Sequence, residues 1–423
     1  MSVSEFRRRD FIKTATAAAG LGLFTPVRKA FAAHITASTH TPDRNWQAMK
    51  SEYMLSPHLT YFNHGSIGTM PRVLHEAHKK YLALCETNPW LYTWSEPWDA
   101  ARAEVRKKAA AYINADDDEI AITHNTTEGF NILANGLPLG KGDEALFSSL
   151  NHSGASVCWF HNAQAKGFTV RRFTFPIQDV KNFSKEEMID VYVREISPKT
   201  RVLVMPHIDN SVGIRYPIKE IADAARSKGV EWIAVDGAQS VGMIPVNMRE
   251  LGVDFYSTSP HKWLQTPKGL GLFYLRKEVQ EDVRPMWVTW GQRRWQKSAR
   301  RFEDYGTRNL AEVLTLGDAL DFHEKLGQTE KEQRLLTLRK YIMEKAEARN
   351  DVVWHSPKTD DLATSIYSLE CKGKNSAELS RWLYEVHGYI LRPFSGESFN
   401  ALRLSPNYFN LEDEADRFFE LLS

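Results

Sequence analysis

Trp232-Ile-Ala-Val-Asp236-Gly-Ala-Gln239-Ser-Val241 is a short apolar run that stops at an aspartate and turns through glycine. About twenty residues on, Phe255-Tyr-Ser257 leads through Thr258 into Ser259-Pro-His261-Lys262-Trp263, a polar turn that presents a lysine. Runs this short and this apolar read as strands buried on both faces. Others lie at Ile120–Thr123, Ala145–Ser148, Val202–Met205 and Leu270–Leu275. Between them, helical spacing marks Trp98–Ile113, Thr127–Leu133, Gly154–Ala165 and Ile218–Ser227, with glycine or proline at most joints, as in Gly136-Leu-Pro138. Strand alternating with helix predicts an α/β fold with a mostly parallel sheet covered on both faces. From about residue 312 the texture changes to long charged helices, Ala311–Lys325 and Glu330–Arg349. Short strands follow near Thr364–Leu369 and Ala401–Leu404, with a last helix from Leu411. That change predicts a second, smaller α+β domain.

The 423 residues are 42% hydrophobic and 25% charged, the balance of a globular chain rather than a disordered or multi-span membrane one. Lysine and arginine number 54 against 53 acids; with no clustered basic face, this near-neutrality argues against a nucleic-acid partner. Cys85, Cys158 and Cys371 are too few and too scattered for a disulfide framework or a zinc site, so no metal is expected. The sequence has no G-x-x-x-x-G-K-[ST], no G-x-G-x-x-G opening a helix, no H-E-x-x-H and no G-x-S-x-G. Nucleotide-driven, zinc-hydrolase and α/β-hydrolase chemistry therefore lose support.

Residues 1–32 read as an address rather than as part of the fold. Arg7-Arg8-Arg9-Asp10-Phe11-Ile12-Lys13 precedes a small-residue, weakly apolar stretch from Thr14 to Phe24. Ala30-Phe31-Ala32 then has the small-x-small form of a signal-peptidase site. The twin arginines resemble the bacterial twin-arginine export signal, which predicts a periplasmic protein handled by the twin-arginine machinery. The apolar stretch is well short of the roughly 18–20 residues that span a bilayer, so no stable membrane span is expected.

In an open α/β sheet, ligands gather outside the carboxyl ends of the strands, so Asp236 and Lys262 point toward one cleft. Alone, the first reads as a turn former and the second as a surface lysine. Together they are what pyridoxal phosphate chemistry needs. The lysine forms a Schiff base, and the carboxylate keeps the pyridine nitrogen protonated so that the ring accepts electrons from the substrate's α carbon. Thr123-His-Asn-Thr126-Thr127-Glu-Gly129 follows a strand and opens a helix. Its hydroxyls and free N–H groups either cap that helix or cradle a phosphate.

With these motifs the chain resembles the class V aminotransferases of the fold-type I pyridoxal phosphate enzymes, a family that includes cysteine desulfurases and isopenicillin N epimerase. The resemblance runs from about Tyr61 to the C-terminus and rests above all on Ser259-Pro-His261-Lys262 after Val235-Asp236-Gly-Ala-Gln239. It implies a large domain over 71–311 on a mostly parallel, seven-stranded type of sheet, a small domain over 312–423, and an arm over 33–70 that joins the small domain. It also implies that Lys262 carries the Schiff base, Asp236 meets the pyridine nitrogen, and Gln239 and Asn210 lie near the phenolic oxygen. Thr126, Thr127, Ser259 and His261 would bind the phosphate, and His152 would stack on the ring. Thr307, in Tyr305-Gly-Thr-Arg-Asn309, would reach the phosphate of a neighbouring subunit, which implies a homodimer with shared sites. Arg403 would grip the substrate α-carboxylate with Arg392 nearby, and Asn63 and His64 of the turn Asn63-His64-Gly65-Ser66 would line the substrate entrance.

Pro393-Phe-Ser-Gly-Glu-Ser-Phe-Asn400 lacks the nucleophilic cysteine that desulfurases of this family carry after the position of Arg392, which disfavours sulfur transfer. Asn125-Thr-Thr-Glu-Gly129 and the Asn63 turn look closer to the epimerase-like branch. The expectation is an exported pyridoxal phosphate enzyme acting on an amino-acid or peptide-like amine, by amino transfer or epimerisation at the α carbon. A secreted metabolite, such as a siderophore or cell-envelope precursor, would be the substrate. A pyridoxal phosphate lyase and a non-catalytic periplasmic binding protein on the same fold are the alternatives. The tryptophan-rich stretches Trp90–Trp98 and Trp287–Trp295 read as core or dimer contacts, or as walls of a wide pocket.

Overall fold

The computed structural model describes residues 45–87, 89, 96–396 and 399–422. The leader expected over residues 1–32 and most of the first tryptophan-rich stretch lie outside them. Strands follow in chain order as β1 (Thr60–Tyr61), β2 (Ile120–Thr123), β3 (Glu144–Ser148), β4 (Thr169–Phe173), β5 (Thr200–Pro206), β6 (Trp232–Asp236), β7 (Phe255–Thr258), β8 (Gly271–Leu275), β9 (Val352–Trp354), β10 (Tyr367–Cys371), β11 (Tyr389–Ile390), β12 (Arg392–Gly396) and β13 (Phe399–Leu404).

Strands β2 to β8 make one seven-stranded sheet in the order β2-β8-β7-β6-β5-β3-β4. β3 pairs parallel with β4 and β5, and β5, β6 and β7 pair parallel in turn. Only β8 is reversed, antiparallel to both β2 and β7. The connections give the reason. Helices Thr126–Gly136, Ser153–Lys166, Lys185–Val193 and Ile218–Ser227 each carry the chain back before the next parallel strand. Between β7 and β8 there is only the turn bearing Lys262, with no helix to carry the chain back for a parallel crossover.

Side-chain alternation divides the large core in two. On β5, Leu203 and Met205 pack into one cluster, Val202 and Val204 into the other. The first cluster is closed by helices Arg72–Thr87, Glu96–Tyr112, Ile218–Ser227 and Leu310–Leu326, the second by Thr126–Gly136 and Ser153–Lys166. β4 was not foreseen in the sequence. It is an edge strand, Thr-Val-Arg-Arg-Phe, whose Arg171 pairs with Glu144 and Glu195, so it lacks the apolar run that marks a buried strand.

β9, β10, β12 and β13 form a separate antiparallel sheet in the order β12-β13-β10-β9, and β1 pairs parallel with β11 beside it. A third core, with Phe62 from the N-terminal arm and Leu338, Tyr367 and Phe418, lies under this part. The sequence placed the change of domain at 311/312. The apolar contacts change partner later, between Leu335 in the large core and Leu338 in the small one, because helix Leu310–Leu326 is buried along most of its length against the large domain.

Candidate active site

The carboxyl ends of β2, β3, β5, β6 and β7 open into a cleft of about 310 Å³. Thr126, Thr127, His152, Asn210, Asp236, Gln239, Ser259, His261, Lys262 and Arg392 line it, so one space gathers residues spread over more than half the chain.

Asp236 is the last residue of β6. One carboxylate oxygen accepts from the Ala238 N–H at 2.9 Å; the other has no protein donor among the described residues. Burial raises its carboxyl, opposed by that N–H and by the positive charge of Lys262. Lys262 makes no hydrogen bond through its amine among the described residues. Burial brings its ammonium down to about 8, with Asp236 resisting and Arg403 and Arg392 adding to the fall. A buried amine held near neutrality, facing an acid, suits covalent and base chemistry alike.

The opposite wall is His152, N-cap of helix Ser153–Lys166. Its Nδ1 accepts from the Gly154 N–H at 3.1 Å, which places the ring proton of the neutral imidazole on Nε2. Burial lowers this imidazole below its ordinary value despite Asp236, keeping it neutral. A Cβ on Gly154 would lie 2.5 Å from Thr127 Oγ1 and 3.1 Å from His152 Nδ1, so glycine is what lets the two walls approach.

At the N-terminus of helix Thr126–Gly136, the Thr126 N–H donates to Ser259 Oγ at 3.1 Å and the two hydroxyls lie 2.8 Å apart. Asn125 caps the helix by accepting from the Glu128 N–H at 3.0 Å. His261 beside them has a buried Nδ1 with no partner among the described residues, and burial holds its imidazole down at about 4. Hydroxyls, helix N–H groups and an orphaned ring nitrogen converge as an anion cradle. The capping role and the cradle coexist, since the cap is Asn125 and the threonines face the cleft. Cradle, acid, flat imidazole and free lysine together fit pyridoxal phosphate.

Arg403 is wholly buried on β13. It donates to Asn63 Oδ1 and Ser66 Oγ, both at 2.7 Å, and to the Asn210 carbonyl at 2.9 Å. All three acceptors are neutral, and its Nε has none. Burial and Arg392 lower this guanidinium to about 9. A buried cation without a carboxylate partner is costly, and a ligand carboxylate would relieve it.

Four expected residues are not among those lining the cleft: Arg403, Asn63, whose Oδ1 accepts from Arg403 and from Ser66 Oγ at 2.8 Å, His64 and Thr307. His64 lies behind the cleft wall, wholly buried, with Nδ1 3.3 Å from the Ser405 carbonyl and edge-on contacts to Tyr61 and Phe409. Burial drives it down to about 3, so it packs as a neutral ring and does not line the entrance. Thr307 lines a second cavity of about 320 Å³ with Trp290, Trp295 and Arg300, apart from the cleft of its own chain. Asn125, Ala238, Gly65 and Ser66, visible in the sequence only as parts of motifs, and Gly154, visible only as a helix start, all line the cleft. Their signals were weak because a cap, a backbone amide and a close approach leave no charge pattern.

The three cysteines are buried and none lines the cleft. Burial raises Cys158 to about 12 and Cys371 to about 11, so neither is a thiolate near neutrality. Among the described residues no cluster of side chains suits a metal ion, and no helix is long and apolar enough to cross a membrane.

Residues 60–399 match the family model described as aminotransferase class-V. The isopenicillin N epimerase of Amycolatopsis lactamdurans is 26% identical over 396 residues, covering 89% of this chain and 98% of that protein. A cysteine desulfurase of Klebsiella pneumoniae is 30% identical over 286 residues, 63% of this chain and 67% of its own. Among solved structures, a C-DES mutant with glycine covalently linked to its PLP cofactor superposes with a TM-score of 0.78 at 23% identity. It covers 90% of this chain and 99% of that one, a likeness of fold. Desulfurases thus stand among the relatives, and descent does not support the expectation that set sulfur chemistry aside.

Proposed function

The chain belongs to the class-V aminotransferase family, and from that premise we propose that it is a pyridoxal 5′-phosphate enzyme acting at the α carbon of an amino acid or peptide-like amine. The observation that carries this reading is Lys262, a buried amine without a hydrogen-bond partner among the described residues, in one cleft with Asp236 and an anion cradle. The bound cofactor supplies an electron sink for the pair of electrons left when an α bond breaks. The protein's residues do the rest. Ser259, His261, Thr126 and Thr127 hold the phosphate, Asp236 keeps a proton on the pyridine nitrogen, and His152 covers the ring. Arg403 orients the substrate by its α-carboxylate, with Arg392 at the rim. Lys262, once released, removes and returns the α proton. Returned by Lys262 from the same face, the proton would restore the configuration, and inversion would need a donor on the opposite face, where the resemblance places His152; delivery away from the substrate carbon would give amino transfer.

Epimerisation or amino transfer is the first reading, favoured by relatives that match along nearly their full length. Carbon–sulfur cleavage is the second, favoured by the desulfurases among the relatives. In this chain it would run without a protein thiol, because the three cysteines lie off the cleft. The proposal extends to an exported homodimer working on a secreted metabolite, resting on Arg8-Arg9 before Asp10-Phe11-Ile12-Lys13 and on the placement of Thr307.

Incubation of the purified protein with pyridoxal phosphate should produce a visible band that borohydride fixes as a covalent adduct on the Lys262 peptide. Lys262→Ala should show neither adduct nor turnover; an adduct on another lysine would end the proposal. A panel of L- and D-amino acids in deuterated water then separates the outcomes. Solvent deuterium with inversion marks epimerisation, pyridoxamine phosphate marks amino transfer, and released sulfide marks the second reading.

A further inference from the structure

Lys331 has no role in the chemistry described so far, yet it is 2% exposed and has no carboxylate partner among the described residues. It sits in the first turn of helix Gln328–Glu347, where the helix dipole disfavours a cation. Its Nζ donates to the Trp263 carbonyl at 2.7 Å, stands 3.4 Å from His323 Nδ1 and lies 4.8 Å over the Tyr408 ring. Burying a lysine there is a net cost, so the bond it makes is where a compensating role lies.

That bond falls on the residue next to Lys262. Trp263 is fully buried, and its indole N–H donates to Gln239 Oε1 at 2.8 Å. Gln239 in turn donates through Nε2 to the Gly65 carbonyl at 2.8 Å. An indole N–H only donates, so it captures the oxygen end of the amide and fixes which end remains. The second N–H of Gln239 is then the group left for the cleft. The same turn is gripped further on. Gln265 adopts a left-handed backbone, φ +57°, and its Oε1 accepts from Tyr53 at 2.8 Å and Tyr408 at 2.9 Å. A non-glycine residue holds that conformation only where its surroundings dictate it.

We propose that Lys331 and Trp263 are positioning residues for the reaction: Lys331 seats the Trp263 carbonyl, and the Trp263 indole makes Gln239 a hydrogen-bond donor into the cleft. This rests on the functional reading above and on the family resemblance, which implies that Gln239 lies near the phenolic oxygen of the cofactor. A donor there stabilises the phenolate and makes the lysine-linked cofactor lose its proton at lower pH. The other charged or titratable groups at the cleft are Asp236, His152, His261, Lys262, Arg392 and Arg403, none of which the variants below alter.

The test is the pH midpoint of the visible band in the reconstituted full chain. Trp263→Phe keeps the ring and removes only the N–H. It should raise the midpoint by about one unit, the size expected for one hydrogen bond to a charged group. Gln239→Leu should raise it by as much, and the double variant no further. Lys331→Met should move it the same way only when Gln239 is present, with thermal melting as the folding control. A parent that forms no band overturns the functional reading and the relay with it. A parent with a normal band, whose midpoint moves in Gln239→Leu but not in Trp263→Phe, overturns the relay alone. So does a midpoint unmoved by Gln239→Leu.

Discussion

Lys262 and Arg403 share one physical situation: each is a cation the fold has buried without a direct ion pair among the described residues, with a carboxylate, Asp236 or Asp209, acting only at longer range. For Lys262 this makes chemistry depend on pH. Its amine loses its proton near 8, so uptake of pyridoxal phosphate by cofactor-free protein should quicken as pH rises and level off above that value, as stopped-flow absorbance would show. The sign for stability follows from the same shift. An unfolded lysine titrates at about 10.4, so between about 8 and about 10.4 the unfolded chain holds a proton the folded chain lacks, and stability gains as pH rises through that window. Cofactor-free Lys262→Met should therefore exceed the parent in urea midpoint below the window and lose that advantage above it. Arg403→Gln keeps a donor but removes the charge. Binding of substrates with a free α-carboxylate should weaken roughly ten- to a hundredfold, with little change for their carboxamide analogues. Equal losses for both would mean that the carboxylate lies elsewhere.

At the scale of elements, the cleft depends on loops whose backbone is fixed by buried side chains. Asp209 is one. Its carboxylate is buried and accepts from the N–H groups of Ser211, Val212 and Ile214 at 2.7, 2.8 and 2.6 Å. It shapes the turn after β5 that carries Asn210 to the cleft, and Gly213 closes that turn at φ +70°. Asp209→Ala strands those donors and should cost about 3 kcal/mol by chemical denaturation, together with weaker cofactor binding. Glu303 does the same for a different joint. Two nitrogens of Arg106 and one of Arg308 converge on it, and it accepts from the Ile122 N–H at 2.7 Å. Burial alone would raise its carboxyl, but the two arginines hold it at about 2. Glu303→Gln leaves two buried guanidinium groups short of charge and should destabilise by about 3–5 kcal/mol.

For the whole molecule, the position of Thr307 outside its own cleft turns the question of shared sites into a complementation experiment. Lys262→Ala and Thr307→Asp subunits, each inactive as homodimers, should regain one working site when mixed, because one site of the hybrid receives Lys262 and Thr307 from different chains. No recovery in verified hybrids would mean that each chain is self-sufficient. The proposed export is tested by Arg8→Lys with Arg9→Lys, which should leave the full-length protein in the cytoplasm.

The sequence by itself determined the strand-and-helix alternation, the placement of Asp236 and Lys262 at strand ends facing one cleft, and the hydroxyl-bearing turn at Thr126. Each is encoded locally, in an apolar run that stops at a polar residue or in hydroxyls at the start of a helix. It could not give the edge strand β4, whose arginines hide it, or the extent of helix Leu310–Leu326 in the large core, since an apolar stripe does not say which core receives it. Nor could it separate His64 from the cleft, for a histidine in a turn reads the same whether it faces substrate or Phe409. Only the tertiary structure decided that Arg403 is an unpaired buried cation, that His152 carries its proton on Nε2, and that Lys331 reaches the residue beside Lys262. These are contacts between segments distant in the chain, and their energetics depend on burial, which comes into being only when the segments meet.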